Sequence, residues 1–174
     1  NSQSRAEFKT FVGIREKVTG YELPELGLLT PSEAAKAERT PEGRKALLEA
    51  ILKEADAAYS AGKYDDAVSK YKSFIEKCNE FSTDCAPDLK TRAEERKDEA
   101  EFRAIDSLHT PQEQSTAYEK FIKDNPGSKF LKDAFFALGD AYKKFGNFAK
   151  AEENYKSAEN AGYSPVSVKE ALDR

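Results

Sequence analysis

Apolar and small residues recur at helical spacing through most of this chain, and one order of them occurs twice. Gly62-x-Tyr64-x-x-Ala67-x-x-x-Tyr71-x-x-Phe74-Ile75 is matched in kind by Gly146-x-Phe148-x-x-Ala151-x-x-x-Tyr155-x-x-Ala158. Ala117 and Ala151 stand 34 residues apart, as do Phe121 and Tyr155. Apolar positions three and four apart put one stripe on a helix, so each of these stretches reads as an amphipathic helix. The small residues Gly139, Ala151 and Ala158 let helix backbones approach, and Tyr142, Phe148 and Tyr155 fill the space beside them. Gly146 falls in the turn between two helices, where a left-handed backbone costs glycine least.

Taken in order, residues 1–40 form an N-terminal extension or cap with short helices. Phe8, Phe11, Val12, Ile14 and Val18 predict a helical stripe within residues 1–19. Gly20, Pro24 and Gly27 predict an extended segment over 20–30, and Thr30-Pro31-Ser32-Glu33 a short helix ending near Arg39. Thr40-Pro41-Glu42 starts the next helix by the same chemistry, a capping threonine followed by proline at the first helical position. Residues 41–163 divide into three repeats, about 41–80, 98–126 and 129–163. Ala67 and Ala117 are 50 residues apart rather than 34, which requires an insertion of about 16 residues between the first two repeats. It falls near 81–97, a polar loop followed by the charge-dense Asp88-Leu89-Lys90-Thr91-Arg92-Ala93-Glu94-Glu95-Arg96-Lys97. One helix is predicted from Asp88 to about Leu108, projecting beyond the repeat body. Ser164-Pro165 opens a capping helix over 164–174, with Val166, Val168, Ala171 and Leu172 covering the open apolar end.

A 34-residue period with aromatics and small residues in fixed slots resembles the tetratricopeptide repeat family. The resemblance implies an all-α fold, a right-handed helical solenoid of antiparallel helix pairs. It also implies a scaffold that binds a protein or peptide, with the first helix of each pair lining the concave face. A longer phrase is more specific: Tyr118-x-x-Phe121-Ile122-x-x-Asn125-Pro126-x-Ser128, then Ala134-x-x-Ala137-Leu138-Gly139-x-x-Tyr142. It is similar to repeats of bacterial envelope proteins, the outer-membrane assembly lipoprotein of the BamD type and the periplasmic partner of the Tol–Pal system. The first repeat departs from it, with Cys78-Asn79-Glu80 where Asn-Pro-x-Ser would fall.

Composition narrows the function. Net charge is −4 and no dense Lys/Arg block is present, so nucleic acid is not an expected partner. No apolar run approaches the roughly 20 residues that span a bilayer. The sequence begins at Asn1 and contains no methionine, the expectation for either a processed form or an excised piece of a longer chain; a removed leader or lipid anchor is one alternative, and membrane association is then expected only through such an anchor or a partner. Cys78 and Cys85 lie seven apart around a polar loop: in an oxidising compartment they can form a disulfide, and in a reducing one they are two thiols. There is one histidine, His109, no glycine-rich phosphate loop, no metal-ligand pair and no nucleophile with an obvious base. The chain reads as no enzyme, with no cofactor and no metal.

The first helices carry the candidate binding residues. Aligning them on Ala50, Ala100 and Ala134 superposes Leu52, Phe102 and Phe136, and likewise Asp56, Asp106 and Asp140. Glu49, Glu99 and Asp133 stand one position before each alanine. The acids of each set are seven residues apart, hence on nearly one helix face with the apolar residue between them. Stacked repeats would present two acidic rows flanking an apolar row, a groove suited to a basic, amphipathic protein or peptide segment. Solvated helix acids in an acid-rich chain are the alternative. The expected role is non-catalytic protein binding in a periplasmic or outer-membrane-associated complex; the alternatives are an interaction domain of a larger cytoplasmic protein and a self-associating structural module.

Overall fold

A computed structural model describes residues 14–18, 21–23 and 36–173. The fold class is all-α and tetratricopeptide-like: the elements bounded among the described residues are seven helices and, before them, one short hairpin. They are α1 (Pro41–Ser60), α2 (Tyr64–Glu80), α3 (Pro87–Asp106), α4 (Pro111–Asp124), α5 (Leu131–Lys144), α6 (Phe148–Asn160) and α7 (Pro165–Asp173). The hairpin pairs β1 (Ile14–Val18) with β2 (Tyr21–Leu23), antiparallel and with a shift in register. It corrects the helix expected over 1–19 for the part described: β-branched Ile14 and Val18 lie four apart, a spacing that suits a short strand as well as a helix face. Phe8, Phe11 and Val12 lie outside the described residues, as does the start of the short helix expected at Thr30. The chain forms two compact units, Asn1–Lys97 and Asp98–Arg174, so that α3 contributes its first half to one and its second half to the other.

In the first unit, α1 starts where Thr40 accepts a hydrogen bond from the Gly43 amide at 3.0 Å, with Pro41 following. Gly43 is dictated by packing, since a Cβ there would lie 2.1 Å from the Ala37 carbonyl oxygen. The helix stops at Gly62, whose φ of 72° turns the chain while the Lys63 amide donates back to Ala58. Gly146 closes α5 in the same way, with Asn147 donating to Tyr142. The core of this unit sets Ala46, Leu47, Ile51, Ala55 and Ala58 of α1 and Ala67, Tyr71, Phe74 and Cys78 of α2 out of contact with water.

The loop after α2 is fastened down. Cys78 and Cys85 are bonded, Phe81 is buried beneath the Arg44 guanidinium, and Asp84 accepts from Arg44 at 2.6 Å. The sequence predicts that the segment that follows projects; instead, residues 88–97 lie against α1. Ala93 is fully buried, Arg92 reaches Asp56, and Arg96 lies over the Tyr59 ring at 4.9 Å. A stretch dense in charge holds one small apolar residue facing inward while long cationic side chains lie over a neighbour, which periodicity alone does not reveal.

The second unit is built on Ile105, Tyr118, Phe121, Ala134, Leu138, Tyr142, Ala151, Tyr155 and Val168. Helix α4 opens on a capping box between Thr110 and Glu113. Asn125 ends it: buried, its side-chain amide donates to the Phe121 carbonyl at 3.2 Å and to Glu101 at 3.0 Å. The Asn-Pro-x-Ser phrase is thus a device for leaving one helix and entering the next. Gly139 sits at the α5–α6 crossing, where a Cβ would meet the Tyr155 ring at 2.6 and 2.7 Å. Phe148, expected to fill space beside the crossing, is instead exposed. On α7, Val168 is buried and Ala171 packs on the cluster, but Val166 and Leu172 are exposed. A helix this short turns only one stripe inward, and positions two before and one after that stripe face water.

Candidate functional site

Each of the three aspartates at the aligned position of a first helix accepts the hydroxyl of a buried tyrosine on the helix that follows. Tyr71 donates to Asp56 at 2.6 Å, Tyr118 to Asp106 at 2.9 Å, and Tyr155 to Asp140 at 2.6 Å. A buried ring is a large apolar contribution, and its hydroxyl must find an acceptor; a carboxylate at the edge of the core supplies one that is charge-assisted. The aspartate recurs because the tyrosine does. Burial first, and the hydrogen bond to the carboxylate second, push all three phenols well above the ordinary tyrosine range.

The apolar row has a packing role as well. Leu52 is buried in the first unit. In the second unit Phe102 stacks on Phe130 at 5.6 Å and lies against Tyr118 and Phe121 at 5.7 and 6.0 Å. Phe136 stacks on Tyr163 at 4.3 Å and leans on Tyr155 at 5.3 Å. Both phenylalanines are half-buried and keep part of their surface open to solvent. Ala50, Ala100 and Ala134, on which the alignment rests, are all buried.

The outer acids differ from one another. Glu49 is exposed, Glu99 is half-buried and pairs with Arg103 one turn on at 3.6 Å, and Asp133 is half-buried near Tyr163, whose phenol it helps to raise after burial has done most. Within the second unit the carboxylates of Asp106 and Asp140 both act on Tyr118. Burial and the Asp106 hydrogen bond raise Tyr118 most, and the Asp140 carboxylate adds to them. In the first unit the residue of α3 that reaches Asp56 is Arg92, fourteen positions before Asp106. The period that places Arg92 there is 36 residues, close to the repeat length, whereas the aligned Asp106 is 50 residues from Asp56.

Sequence reasoning missed the tyrosines as partners of the row. The signal was present: Asp56 to Tyr71 and Asp140 to Tyr155 are both 15 residues, across equivalent turns. A further network joins Tyr142 of α5 to its neighbours. Its hydroxyl donates to Glu119 of α4 and accepts from Lys150 of α6 at 2.9 Å, with that ammonium also 4.7 Å from the ring centre. Among the described residues no group of three or more His, Cys, Asp or Glu side chains is placed to hold a metal ion, and no helix is long and apolar enough to cross a membrane.

Residues 49–78 match the family model described as tetratricopeptide repeat. The match begins at Glu49, ends at Cys78, and contains Asp56 and Tyr71. Repeats of this family generally mediate protein–protein interaction, and a protein partner is what the match implies. No curated protein and no solved structure matches the chain.

Proposed function

We propose that this chain is a non-catalytic scaffold of a bacterial cell-envelope complex, which holds a basic, amphipathic protein segment on its first-helix faces. The observation that carries the reading is the state of Asp106 and Asp140. Each gives one carboxylate oxygen to a tyrosine, and neither has a cationic partner among the described residues. Half-exposed aromatic surface from Phe102 and Phe136 lies on the same helix faces, at positions four residues before each aspartate. Negative charge beside aromatic surface favours a partner that brings both positive charge and apolar side chains; the charges steer encounter and the apolar contacts slow escape. The Cys78–Cys85 bond supports an extracytoplasmic home, where such bonds persist. The envelope proteins of the BamD and Tol–Pal-associated type remain the narrower likeness, on the Asn125–Ser128 and Ala134–Tyr142 phrases.

The test is comparative capture from envelope extract. Wild type and the Asp106→Asn/Asp140→Asn variant are immobilised at equal density, and retained proteins are identified by mass spectrometry at low and high salt. The reading expects a basic-segment partner retained by wild type, released by salt and depleted on the variant. Equal retention on both, insensitive to salt, contradicts it.

A further inference from the structure

We propose that the inserted segment occupies the first repeat's acidic position with a residue of its own, Arg92, so that this repeat is closed to a basic partner until Arg92 is displaced. The inference rests on the basic-partner reading of the row. Three equivalent aspartates provide an internal comparison. All three spend one oxygen on a tyrosine hydroxyl. Only Asp56 has its second oxygen taken, by the Arg92 guanidinium at 2.5 Å. Asp106 and Asp140 have no ion pair among the described residues.

Arg92 is held in place by its surroundings. Helix α3 begins two residues after Cys85, which is bonded to the last turn of α2. Asp84, just before it, is tied to Arg44 of α1. Ala93 is fully buried, which fixes the rotation of α3, and Arg96 one turn on lies over Tyr59. The start, the rotation and the neighbouring contact of this helix are therefore set, and Arg92 is carried to Asp56 by all three. Its side chain remains half-exposed, so it can be exchanged. A solvent-facing ion pair is weak enough that an incoming cationic side chain can replace it.

The experiment uses a fluorescein-labelled peptide of arginine and leucine, patterned as an amphipathic helix, and anisotropy titration at low salt. Proteins are wild type, Arg92→Ala, Asp56→Asn, Arg92→Ala/Asp56→Asn and Asp106→Asn/Asp140→Asn. Circular dichroism melting checks each fold; alanine suits an exposed helix position, so Arg92→Ala should melt with wild type. Arg92→Ala should bind the peptide about two- to fivefold more tightly, the range an exposed ion pair can withhold. Asp56→Asn alone should change little, and adding it to Arg92→Ala should abolish the gain. If Arg92→Ala binds no more tightly than wild type while Asp106→Asn/Asp140→Asn binds more weakly, Arg92 is no occupant and the basic-partner reading stands without it. If neither substitution set changes binding, the basic-partner reading fails and the occupancy of Asp56 fails with it.

Discussion

Replacing Gly139 by alanine places a methyl group where no room exists. The new Cβ would lie 2.6 and 2.7 Å from two carbons of the Tyr155 ring and 3.2 Å from the Ala151 carbonyl oxygen. Ordinary carbon contacts are about 3.5–4.0 Å, so the ring must retreat by nearly 1 Å. It has nowhere to go. Tyr155 is 1% exposed, its hydroxyl is held by Asp140 at 2.6 Å, and Phe136 leans on its face. With the ring locked in this way, the cost falls in the upper part of the range for overpacking, about 2–3 kcal/mol. Alanine's better helix propensity returns about 1 kcal/mol, leaving a net loss of roughly 1–2 kcal/mol. For a chain of this size that lowers the melting temperature by about 2–8 °C. Gly139→Leu, which must enter the same crossing, should lose more and take the α5–α6 pair with it. Gly127→Ala is the control, since a Cβ there meets nothing within 4 Å and its backbone is not left-handed. The assay is far-UV circular dichroism melting of all three. A Gly139→Ala protein that melts at or above wild type would refute the crossing geometry.

The tyrosine–aspartate bond across α5 and α6 should show coupling of about 1–2 kcal/mol in a double-mutant cycle of Tyr155→Phe and Asp140→Ala by urea unfolding, and additive single effects would show that the bond contributes nothing. The raised phenols of Tyr71, Tyr118 and Tyr155 set an alkaline limit. Their folded pKa lies above the unfolded value of about 10, so the stability they contribute is complete below that pH and is lost as pH rises beyond it. Tyrosinate absorbance from these three should therefore rise late, together with unfolding, and a Tyr71→Phe/Tyr118→Phe/Tyr155→Phe protein should lose that late rise. Protein purified from its native compartment without reductant should show no free thiol, and reducing Cys78–Cys85 should lower stability by about 2 kcal/mol, the entropy of so short a loop; two free thiols in such material would remove the support for an extracytoplasmic home.

Much of the helical frame was legible because its signals are local. Thr40-Pro41 and Ser164-Pro165 start helices through cap chemistry that needs no distant partner, and Gly146 ends one through a backbone angle that only glycine takes readily. Gly139 was legible as a crossing residue because its repeat slot demands a small side chain. The hairpin at Ile14–Leu23 was not, because five residues with two β-branched ends fit a strand or a helix equally well. Nor was the docking of residues 88–97: their charges say surface, and only tertiary contact shows Ala93 turned inward with Arg92 on Asp56. The acidic row was found by aligning helices, and each of its three aspartates accepts a tyrosine hydroxyl. Its cause was hidden, since a hydrogen bond between Asp140 and Tyr155 joins two helices whose faces meet only once the pair has folded. Phe148 was misplaced for a related reason: its slot is apolar in both repeats, yet it opens α6 and points outward at 67% exposure.

In the proposed function Asp106 and Asp140 serve two ends at once, closing a helix pair through one oxygen and offering negative charge to a basic partner through the other. Asparagine separates the two, because it keeps an oxygen acceptor for the tyrosine hydroxyl and removes the charge. The direct measurement is stopped-flow association of the captured partner with wild type and with Asp106→Asn/Asp140→Asn, across a range of salt. The account predicts that the variant melts within about 1 kcal/mol of wild type, associates several-fold more slowly at low salt, and shows a shallower decline as salt rises. Equal association rates with equal salt dependence in the two proteins would contradict it.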